Sequence, residues 1–408
     1  MGKNTVTVIG GGASGLVASI ICARAGAKVT LIERMNQLGK KILATGNGKC
    51  NLTNTNLTPN HYNGNQPKFV ISTLNQFNVE DTLNFFKDLG IYPRIDNGYV
   101  YPYSNQASAV LEVLQYEVDR LKVKVIYEEE VNSVTKNNNQ FMIHTNKSKY
   151  YAHKVILSTG GQSYPNLGSN GSGYKIAEQL GHTLVKPYPG LVQLKAKADY
   201  FKRIKGVRVN GSLSLYNDNR LVKKEYGEIL FTDYGLSGIA TLQISRFIKE
   251  NIKDNKIKVC LDLMPELEED VLDQLLIQRF EQMPYKTIEQ SLVGLINNKL
   301  IPIIIKESKG NPNEKVSQLS KNIRHNLVKQ LKEWIVYITG TNNWDQSQVT
   351  VGGISTDEIH PNTLESKLIE HLYFTGEVMD IDGDCGGYNL QWAWSTGYIA
   401  GLSATNKN

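Results

Sequence analysis

A turn of three glycines near the N-terminus constrains the fold of this chain more than any other feature. Residues 10–15 read GGGASG and match the pattern G-x-G-x-x-G. The turn follows an apolar stretch, Thr5–Ile9, that predicts a buried strand, and it opens a helical pattern, Ala13–Ala25, that ends at Gly26. A second predicted strand, Lys28–Ile32, completes a β-turn-α-β unit, the kind that builds a parallel sheet.

Each glycine of this turn has a physical role in binding a dinucleotide. Gly10 permits the tight turn, Gly12 lets the backbone approach a pyrophosphate, and Gly15 lets the helix pack closely on the strand. The first N–H groups of the helix are free and carry partial positive charge, which favours phosphate. Glu33, at the end of the second strand, can accept hydrogen bonds from ribose hydroxyls and would repel a 2′-phosphate. The unit predicts bound NAD or FAD without distinguishing the two.

A segment near the C-terminus favours FAD. Residues 375–380 read TGEVMD after a predicted strand, Leu372–Thr375, and residues 386–391 read GGYNLQ at the start of a predicted final helix, Asn389–Gly401. A second glycine-rich helix start gives the same domain a second helix end that attracts negative charge. In flavin enzymes such an end can face the pyrimidine side of the ring and stabilise the reduced flavin, whereas NAD dehydrogenases do not need it.

The sequence between these segments predicts an α/β fold with an insertion. The predicted helices are Phe69–Leu89 and Ala107–Leu121, and the predicted strands of a small antiparallel layer are Val123–Tyr127, Ser133–Lys136, Phe141–Thr145 and Lys149–Ala152. A further apolar strand, Val155–Leu157, leads into a Thr-Gly-Gly turn. We predict a Rossmann-like FAD-binding domain of the glutathione-reductase type, residues 1–190 and 346–408. An inserted domain, residues 191–345, interrupts it and is β-rich over 191–262 and helical over 263–345.

Composition narrows the functional classes. No apolar stretch reaches the ~20 residues that span a bilayer, and the cluster Leu300–Ile305 is interrupted by Pro302. We therefore expect no membrane association. Four cysteines in a chain of this length do not make a disulfide scaffold, so we expect a cytoplasmic location. The chain has four cysteines without C-x-x-C spacing and seven histidines without H-E-x-x-H spacing, so we expect no metal.

Several motifs together resemble the YhiN-type flavoproteins, a group also labelled the aminoacetone oxidase family, with BaiN-like and RdsA-like members. The resemblance runs nearly end to end, and the motifs that carry it are the turn at residues 10–15, GNGKCN at 46–51, TGG at 159–161, VGGI at 351–354 and the segment 375–391. It implies a FAD domain with an inserted barrel-like and helical part. Lys49 stands where the family commonly has arginine, and the loop Asn166–Gly173 lacks an acidic residue often found there.

From these motifs and their surroundings we predict the residues that contact FAD. They are Gly10, Gly12, Ala13, Ser14, Gly15, Glu33, Arg34, Lys40, Lys41, Gly46, Asn47, Gly48, Asn51, Val131, Thr159, Gly160, Gly161, Gly376, Glu377, Asp380, Gly387, Tyr388, Asn389 and Gln391. Cys50 is the predicted proton donor, because a thiol of pKa ~8.5 is mostly protonated near neutrality; a buried, inert Cys50 is the alternative. The tyrosines at 99, 101, 103 and 164 are weaker candidates for the substrate side.

The reaction class follows from FAD, but the sequence leaves the substrate open. We find no second G-x-G-x-x-G, so NAD(P)H would serve as a transient electron donor rather than a resident cofactor. The resemblance implies three kinds of substrate: small amines oxidised with oxygen, steroid-like enones, and a uridine of ribosomal RNA reduced to dihydrouridine. A non-catalytic flavin-bound binder of RNA or another partner is a further alternative, and the oligomeric state stays open.

Charge favours the RNA substrate among these. Residues 191–345 hold 24 Lys and Arg against 19 Asp and Glu, a balance of +5 out of a net +6 for the chain. Two groups of cations stand out in the sequence. The first is Lys202, Arg203, Lys205 and Arg208. The second lies near Trp334 and Tyr337 and is Lys315, Lys321, Arg324, Lys329 and Lys332. Cations beside aromatic side chains suit phosphate and base contacts. We therefore predict a flavin-dependent reductase of a ribosomal RNA uridine, with a small-molecule amine oxidase as the alternative.

Overall fold

The computed structural model describes residues 5–248 and 257–406. It divides into two compact units, Met1–Pro189 with Trp344–Asn408, and Gly190–Asn343. The strands are β1 (Thr5–Ile9), β2 (Lys28–Ile32), β3 (Thr53–Asn54), β4 (Tyr62–Asn63), β5 (Pro93–Asp96), β6 (Tyr99–Pro102), β7 (Lys124–Ile126), β8 (Val131–Asn137), β9 (Gln140–Thr145), β10 (Lys149–Ala152), β11 (Lys154–Leu157), β12 (Leu184–Gly190), β13 (Leu194–Ala196), β14 (Arg208–Asn217), β15 (Arg220–Phe231), β16 (Gly235–Ser237), β17 (Ile257–Asp262), β18 (Trp334–Thr341), β19 (Val349–Ile354), β20 (Leu372–Phe374) and β21 (Asp382–Gly383). The α-helices are α1 (Ala13–Arg24), α2 (Lys40–Ala44), α3 (Val70–Gln76), α4 (Val79–Asp88), α5 (Ala107–Arg120), α6 (Ser172–Gln179), α7 (Phe201–Ile204), α8 (Ile239–Ser245), α9 (Glu269–Gln282), α10 (Ile288–Leu292), α11 (Ile301–Glu307), α12 (Lys321–Lys332) and α13 (Tyr388–Ser403). Along the part of the chain that the structure describes, no helix is both long and apolar enough to cross a bilayer.

A five-stranded parallel sheet organises the first unit, in the order β20-β11-β1-β2-β7. The predicted β-turn-α-β unit is β1, α1 and β2. The prediction for Val123–Tyr127 is wrong in one respect, because β7 pairs in parallel with β2 rather than joining the antiparallel layer. The cause is the helix α5 immediately before it, since a strand that follows a crossover helix returns parallel to the sheet.

The C-terminal helix α13 packs directly on α1. An added Cβ at Gly397 would lie 2.4 Å from the carbonyl oxygen of Ser14, and one at Gly401 would lie 2.8 Å from Cβ of Ile21. Glycine at these two positions therefore lets the helix backbones approach closely. This packing brings the segment before α13 to the same sheet edge as the first glycine turn.

The predicted helix Phe69–Leu89 is two helices, α3 and α4. Asn78 begins the second one, because its side chain accepts hydrogen bonds from the backbone N–H groups of Glu80 (2.8 Å) and Asp81 (3.2 Å). The Asp81 carboxylate accepts in return from the Asn78 N–H at 2.9 Å. This reciprocal capping box starts a new helix where the apolar period alone indicates a continuous one.

The second unit is a closed antiparallel barrel with helices. Its strands follow the order β13-β16-β15-β14-β17-β18, and α9 to α12 lie between β17 and β18 in the chain. The helical prediction for 263–345 is therefore wrong at its end, where β18 pairs with both β17 and β13 and closes the barrel. Burial alternates along β18, with Trp334, Val336 and Ile338 buried and Ile335 and Tyr337 exposed. That period of two is typical of a barrel strand.

A buried histidine in the first unit predicts a loss of stability in acid. His182 Nδ1 lies 3.2 Å from Oε2 of Glu358, and its Nε2 lies 2.9 Å from Oγ of Ser366. Burial lowers the pKa of His182, although Glu358 partly opposes this shift. Burial acts to raise the pKa of Glu358, but hydrogen bonds from Thr183 and the neighbouring His182 outweigh it and the pKa falls. Both groups therefore stabilise the fold when they carry no extra proton.

We expect the stability that His182 contributes to be present above its unfolded pKa of about 6.5 and to be lost as pH falls below it. The loss through Glu358 follows at lower pH. Urea denaturation of the wild-type protein at pH 7.5 and 5.5 measures the first step, and His182→Gln should show a smaller difference between the two pH values. His360→Gln, at an exposed histidine, is the matched control and should behave like the wild type. Equal differences for all three proteins would contradict this assignment.

Candidate functional site

A cavity runs along the carboxyl edge of the parallel sheet in the first unit. Its lining includes Gly10 directly after β1, Glu33 directly after β2, Ser158 directly after β11 and Gly376 two residues after the end of β20. The space between the lining atoms is about 1220 Å³, part of it open to solvent. This place, beyond the carboxyl ends of parallel strands, is where open α/β sheets bind nucleotides.

The glycine turn forms the centre of the cavity. Gly10 has a φ of 102°, and its N–H donates to the carbonyl of Ile32 at 2.8 Å. Beyond Gly12 itself and its two chain neighbours, no heavy atom of the described residues lies within 4 Å of a Cβ added at Gly12, so the backbone there faces open space in the cavity wall. No described side chain caps α1, and its first turn holds no acidic residue. Free N–H groups beside open space suit a pyrophosphate.

Glu33 and Arg34 line the cavity where β2 ends. The Glu33 carboxylate accepts from the N–H of Gly11 at 2.7 Å and from the N–H of Met35 at 2.8 Å. Burial raises the pKa of Glu33, and these two hydrogen bonds and the charge of Arg34 oppose the rise. Each carboxylate oxygen keeps acceptor capacity for a ribose hydroxyl.

The Arg34 guanidinium is only partly satisfied. It donates to the carbonyl of Pro165 at 3.1 Å and lies 3.5 Å from Glu130, while its buried Nε has no partner among the described residues. A buried donor without a partner is rare. Together with the open space at Gly12, it fits a polar ligand such as FAD in this cavity.

Glu377 and Lys41 line the cavity beyond β20, on the opposite side of β1 from Glu33. The Lys41 ammonium lies 2.7 Å from Oε2 of Glu377 and donates to Oγ of Ser163 at 2.5 Å. Oε1 of Glu377 accepts from the N–H of Thr350 at 2.6 Å and from the hydroxyl of Ser163 at 2.8 Å. Both charged side chains line the cavity, so this part of its wall presents an ordered ion pair.

The structure brings fourteen of the predicted FAD contacts to the cavity lining, namely Gly10, Gly12, Ala13, Ser14, Glu33, Arg34, Lys40, Lys41, Val131, Thr159, Gly160, Gly376, Glu377 and Asn389. The others lie outside the lining: Gly15, Gly46, Asn47, Gly48, Asn51, Gly161, Asp380, Gly387, Tyr388 and Gln391. Lining residues that the sequence reasoning missed include Gln37, Thr45, Glu129, Ser158, Gly168 and Gln348. Ser158 could have been found, since it directly follows a predicted strand of the sheet.

Three of the residues outside the lining make close contacts within the protein. Gly15 packs α1 on the turn, because an added Cβ would lie 1.9 Å from the carbonyl oxygen of Gly10. Gln391 is fully buried, and its amide bonds Thr53, Thr82 and Ser395. The Asn51 side chain accepts from the N–H of Val100 at 3.2 Å. These contacts are structural and do not require a cofactor.

Cys50 does not fit the role of a proton donor that touches a substrate. Its side chain has no exposed surface. Burial raises the pKa of its thiol to about 12, partly offset by a hydrogen bond with Thr45. The thiol is protonated but enclosed, so the structure agrees with the alternative of a buried, inert cysteine. Within residues 5–248 and 257–406, no group of three or more His, Cys, Asp or Glu side chains could hold a metal ion.

The cavity at the carboxyl edge of the parallel sheet is lined in part by the last helix, and the barrel is inserted in the chain between the two segments of this unit. These features define the class of FAD-dependent oxidoreductases with a Rossmann-type FAD-binding domain. Comparison with known proteins then gives the family. The model described as HI0933-like protein Rossmann domain matches residues 4–403. The chain belongs to this HI0933-like family, and the resemblance to the YhiN-type flavoproteins is confirmed.

Curated relatives match over nearly the whole chain. The 3-dehydro-bile acid delta(4,6)-reductase of Clostridium scindens is 40% identical over 99% of this chain and 100% of its own length. The ribosomal RNA dihydrouridine synthase of Haemophilus influenzae is 32% identical over 98% of both chains. Among solved structures, the 3-ketosteroid-delta4-(5alpha)-dehydrogenase of Rhodococcus jostii RHA1 aligns with 99% of this chain and 97% of that chain, at 16% identity and a TM-score of 0.48. A likeness of that size says nothing of the reaction.

Proposed function

We propose that this chain uses NAD(P)H to reduce a carbon–carbon double bond conjugated to a carbonyl group, and that its first substrate is a uridine of ribosomal RNA. The carrying observation is the end-to-end similarity to relatives named for two such reductions, a bile acid delta(4,6)-reductase and a ribosomal RNA dihydrouridine synthase. Uridine has its 5,6 double bond conjugated to a carbonyl, as an enone has. FAD, when bound, supplies the hydride chemistry that both reductions need.

The chemistry adds a hydride to one carbon of the double bond and a proton to the other, while NAD(P)H becomes NAD(P)⁺. The chain must therefore supply a proton donor near the bound substrate. Tyr99 and Tyr101 lie outside the cavity lining, but they are more accessible candidates for this role than Cys50, because both are only partly buried. An added Cβ at Gly386 would lie 3.2 Å from the Tyr99 ring, and one at Gly46 would lie 3.5 Å from the Tyr101 ring. Burial raises the pKa of both phenols, so both stay protonated at neutral pH.

The positive charge of residues 191–345 supports an RNA substrate through phosphate contacts. Lys202 and Arg203 are exposed on α7. Lys205 and Arg208 are exposed too, although they also pair with Asp233 at 2.8 Å and with Glu228 at 2.6 Å. Exposed ion pairs of this kind contribute little energy, so phosphates can compete for these cations.

The expectation that Trp334 is available to contact an RNA base is wrong. Trp334 is 1% exposed, and its ring stacks on Phe231 inside the barrel with centroids 5.5 Å apart. It belongs to the core because β18 alternates inward and outward side chains, and 334 is an inward position. Tyr337, 49% exposed on the same strand, is the aromatic side chain there that is open to a base.

A cyclic enone is the second candidate substrate. The 40% identity with the bile acid reductase exceeds the 32% identity with the two dihydrouridine synthases. The chemistry is the same, so the two candidates differ in what surrounds the double bond and not in the reacting atoms.

Deletion of the gene followed by mass spectrometry of ribosomal RNA tests the first substrate. We expect one dihydrouridine to disappear and to return when the wild-type gene is supplied, and not when Gly12→Ala is supplied. An unchanged modification profile would exclude the RNA substrate. The purified protein is then assayed with NADPH and a 4,6-dien-3-one steroid, whose reduction supports the second candidate. Steady hydrogen peroxide release with aminoacetone, without either reduction, would point instead to amine oxidation.

A further inference from the structure

The ion pair between Lys41 and Glu377 is held more firmly than a surface pair. The two side chains are only 23% and 19% exposed. The Glu377 carboxylate accepts three hydrogen bonds, from the Lys41 ammonium, the Ser163 hydroxyl and the Thr350 N–H. Charge-assisted bonds of these lengths fix the position of both groups. The pair is therefore an ordered feature of the cavity wall.

Distant parts of the chain converge on this pair. Lys41 lies in α2, Ser163 follows β11, Thr350 lies in β19 and Glu377 follows β20. Gly161 keeps the place clear, because an added Cβ would lie 2.2 Å from Oγ1 of Thr350 and 3.1 Å from Oε1 of Glu377. This explains why the Thr-Gly-Gly turn, which contributes Gly160 to the lining, needs a glycine one residue further on.

The order of the strands places the pair on the flavin half of the site. Glu33 follows β2, the pyrophosphate turn follows β1, and Glu377 follows β20, two strands beyond β1 on the opposite side. With strands ~4.8 Å apart, Glu377 lies roughly 14 Å along the sheet edge from the ribose end. A dinucleotide with its adenosine at Glu33 therefore extends its flavin half towards Lys41 and Glu377.

We propose that Lys41 and Glu377 set the electron affinity of the bound FAD with opposite signs. The Lys41 cation favours the extra negative charge that the flavin gains on reduction, and the Glu377 anion disfavours it. Glu377 also positions Lys41. The reduction potential of the bound FAD therefore lies between the value expected with the Lys41 charge alone and the value expected with the Glu377 charge alone. The proposal rests on FAD in this cavity and is independent of the substrate.

The test measures two properties of the bound flavin, its midpoint potential and its affinity for sulfite, in Lys41→Met, Glu377→Gln and the double variant. The midpoint potential is measured by dye equilibration at pH 8, and the sulfite dissociation constant by loss of flavin absorbance, since sulfite adds to oxidised flavin and leaves it negatively charged. We expect Lys41→Met to lower the potential and weaken sulfite binding roughly tenfold. Glu377→Gln should raise the potential and strengthen sulfite binding by a similar factor. The double variant should return towards the wild type.

Controls separate this electrostatic effect from a structural one. Lys41→Arg keeps the charge and should stay within about threefold of the wild type in sulfite affinity. Lys87→Met removes an exposed charge on α4 and should change neither reading. If Glu377→Gln fails to retain FAD, the contrast between Lys41→Met and Lys41→Arg still decides the role of Lys41. Shifts of the same sign in Lys41→Met and Glu377→Gln, or equal shifts in Lys41→Met and Lys41→Arg, would overturn the proposal.

Discussion

Gly15→Ala should yield a protein that neither retains FAD nor reaches wild-type stability. An added Cβ at residue 15 would lie 1.9 Å from the carbonyl oxygen of Gly10 and 3.2 Å from Cβ of Ser158. The nearest atom is backbone, so the turn between β1 and α1 has to move. Overpacking of this kind costs about 1–3 kcal/mol, and more where backbone must shift. The moved turn is the one that presents N–H groups to the pyrophosphate, so stability and FAD affinity fall together.

Two other glycines make the matched controls. Gly12→Ala adds a methyl group where no described heavy atom beyond residue 12 and its chain neighbours lies within 4 Å, so the protein without FAD should keep its thermal midpoint and yet lose FAD affinity. Gly340→Ala, in β18, also meets open space and should change neither property. Thermal unfolding of the FAD-free proteins and fluorescence titration with FAD give the two readings. A Gly15→Ala protein that unfolds like the wild type would show that α1 does not need this close approach.

The sequence predicted the parts of the fold that depend on neighbouring residues. The β1-α1-β2 unit was readable because a glycine turn, an apolar strand and a helical period follow one another within residues 5–32. The same locality explains one error. Helices α3 and α4 share an apolar period, and the capping box at Asn78 that separates them is a weaker signal than the period.

Contacts between distant residues could not be predicted in this way. The partner of Lys41 lies 336 residues away in the chain, and nothing near either residue indicates the pair. Similarly, β18 was assigned to a helical region because its role depends on pairing with β13 and β17. The glycine-rich motifs also contain residues with two different roles, which the sequence does not distinguish. Gly12 faces the cavity, whereas Gly15 and Gly161 allow close packing beside it.

Gln391→Leu separates cofactor binding from packing most sharply. The sequence motif predicted that Gln391 contacts the cofactor, whereas the structure shows its side chain bonded to buried residues of the protein. Its Nε2 donates to Oγ1 of Thr82 at 2.7 Å and to Oγ of Ser395 at 2.9 Å, and its Oε1 accepts from the Thr53 hydroxyl at 2.6 Å. Leucine has a similar volume but leaves these buried hydroxyls with fewer partners. We expect a loss of about 2–4 kcal/mol in the free energy of unfolding, and a thermal midpoint lower by roughly 5–10 °C.

The FAD affinity of the folded Gln391→Leu protein should stay within about threefold of the wild type, because the side chain lies outside the cavity lining. Gln282→Leu, at an exposed position at the end of α9, controls for the change of residue type and should leave both readings unchanged. The opposite pattern, a normal thermal midpoint with weakened FAD binding, would restore the cofactor role that the motif predicted.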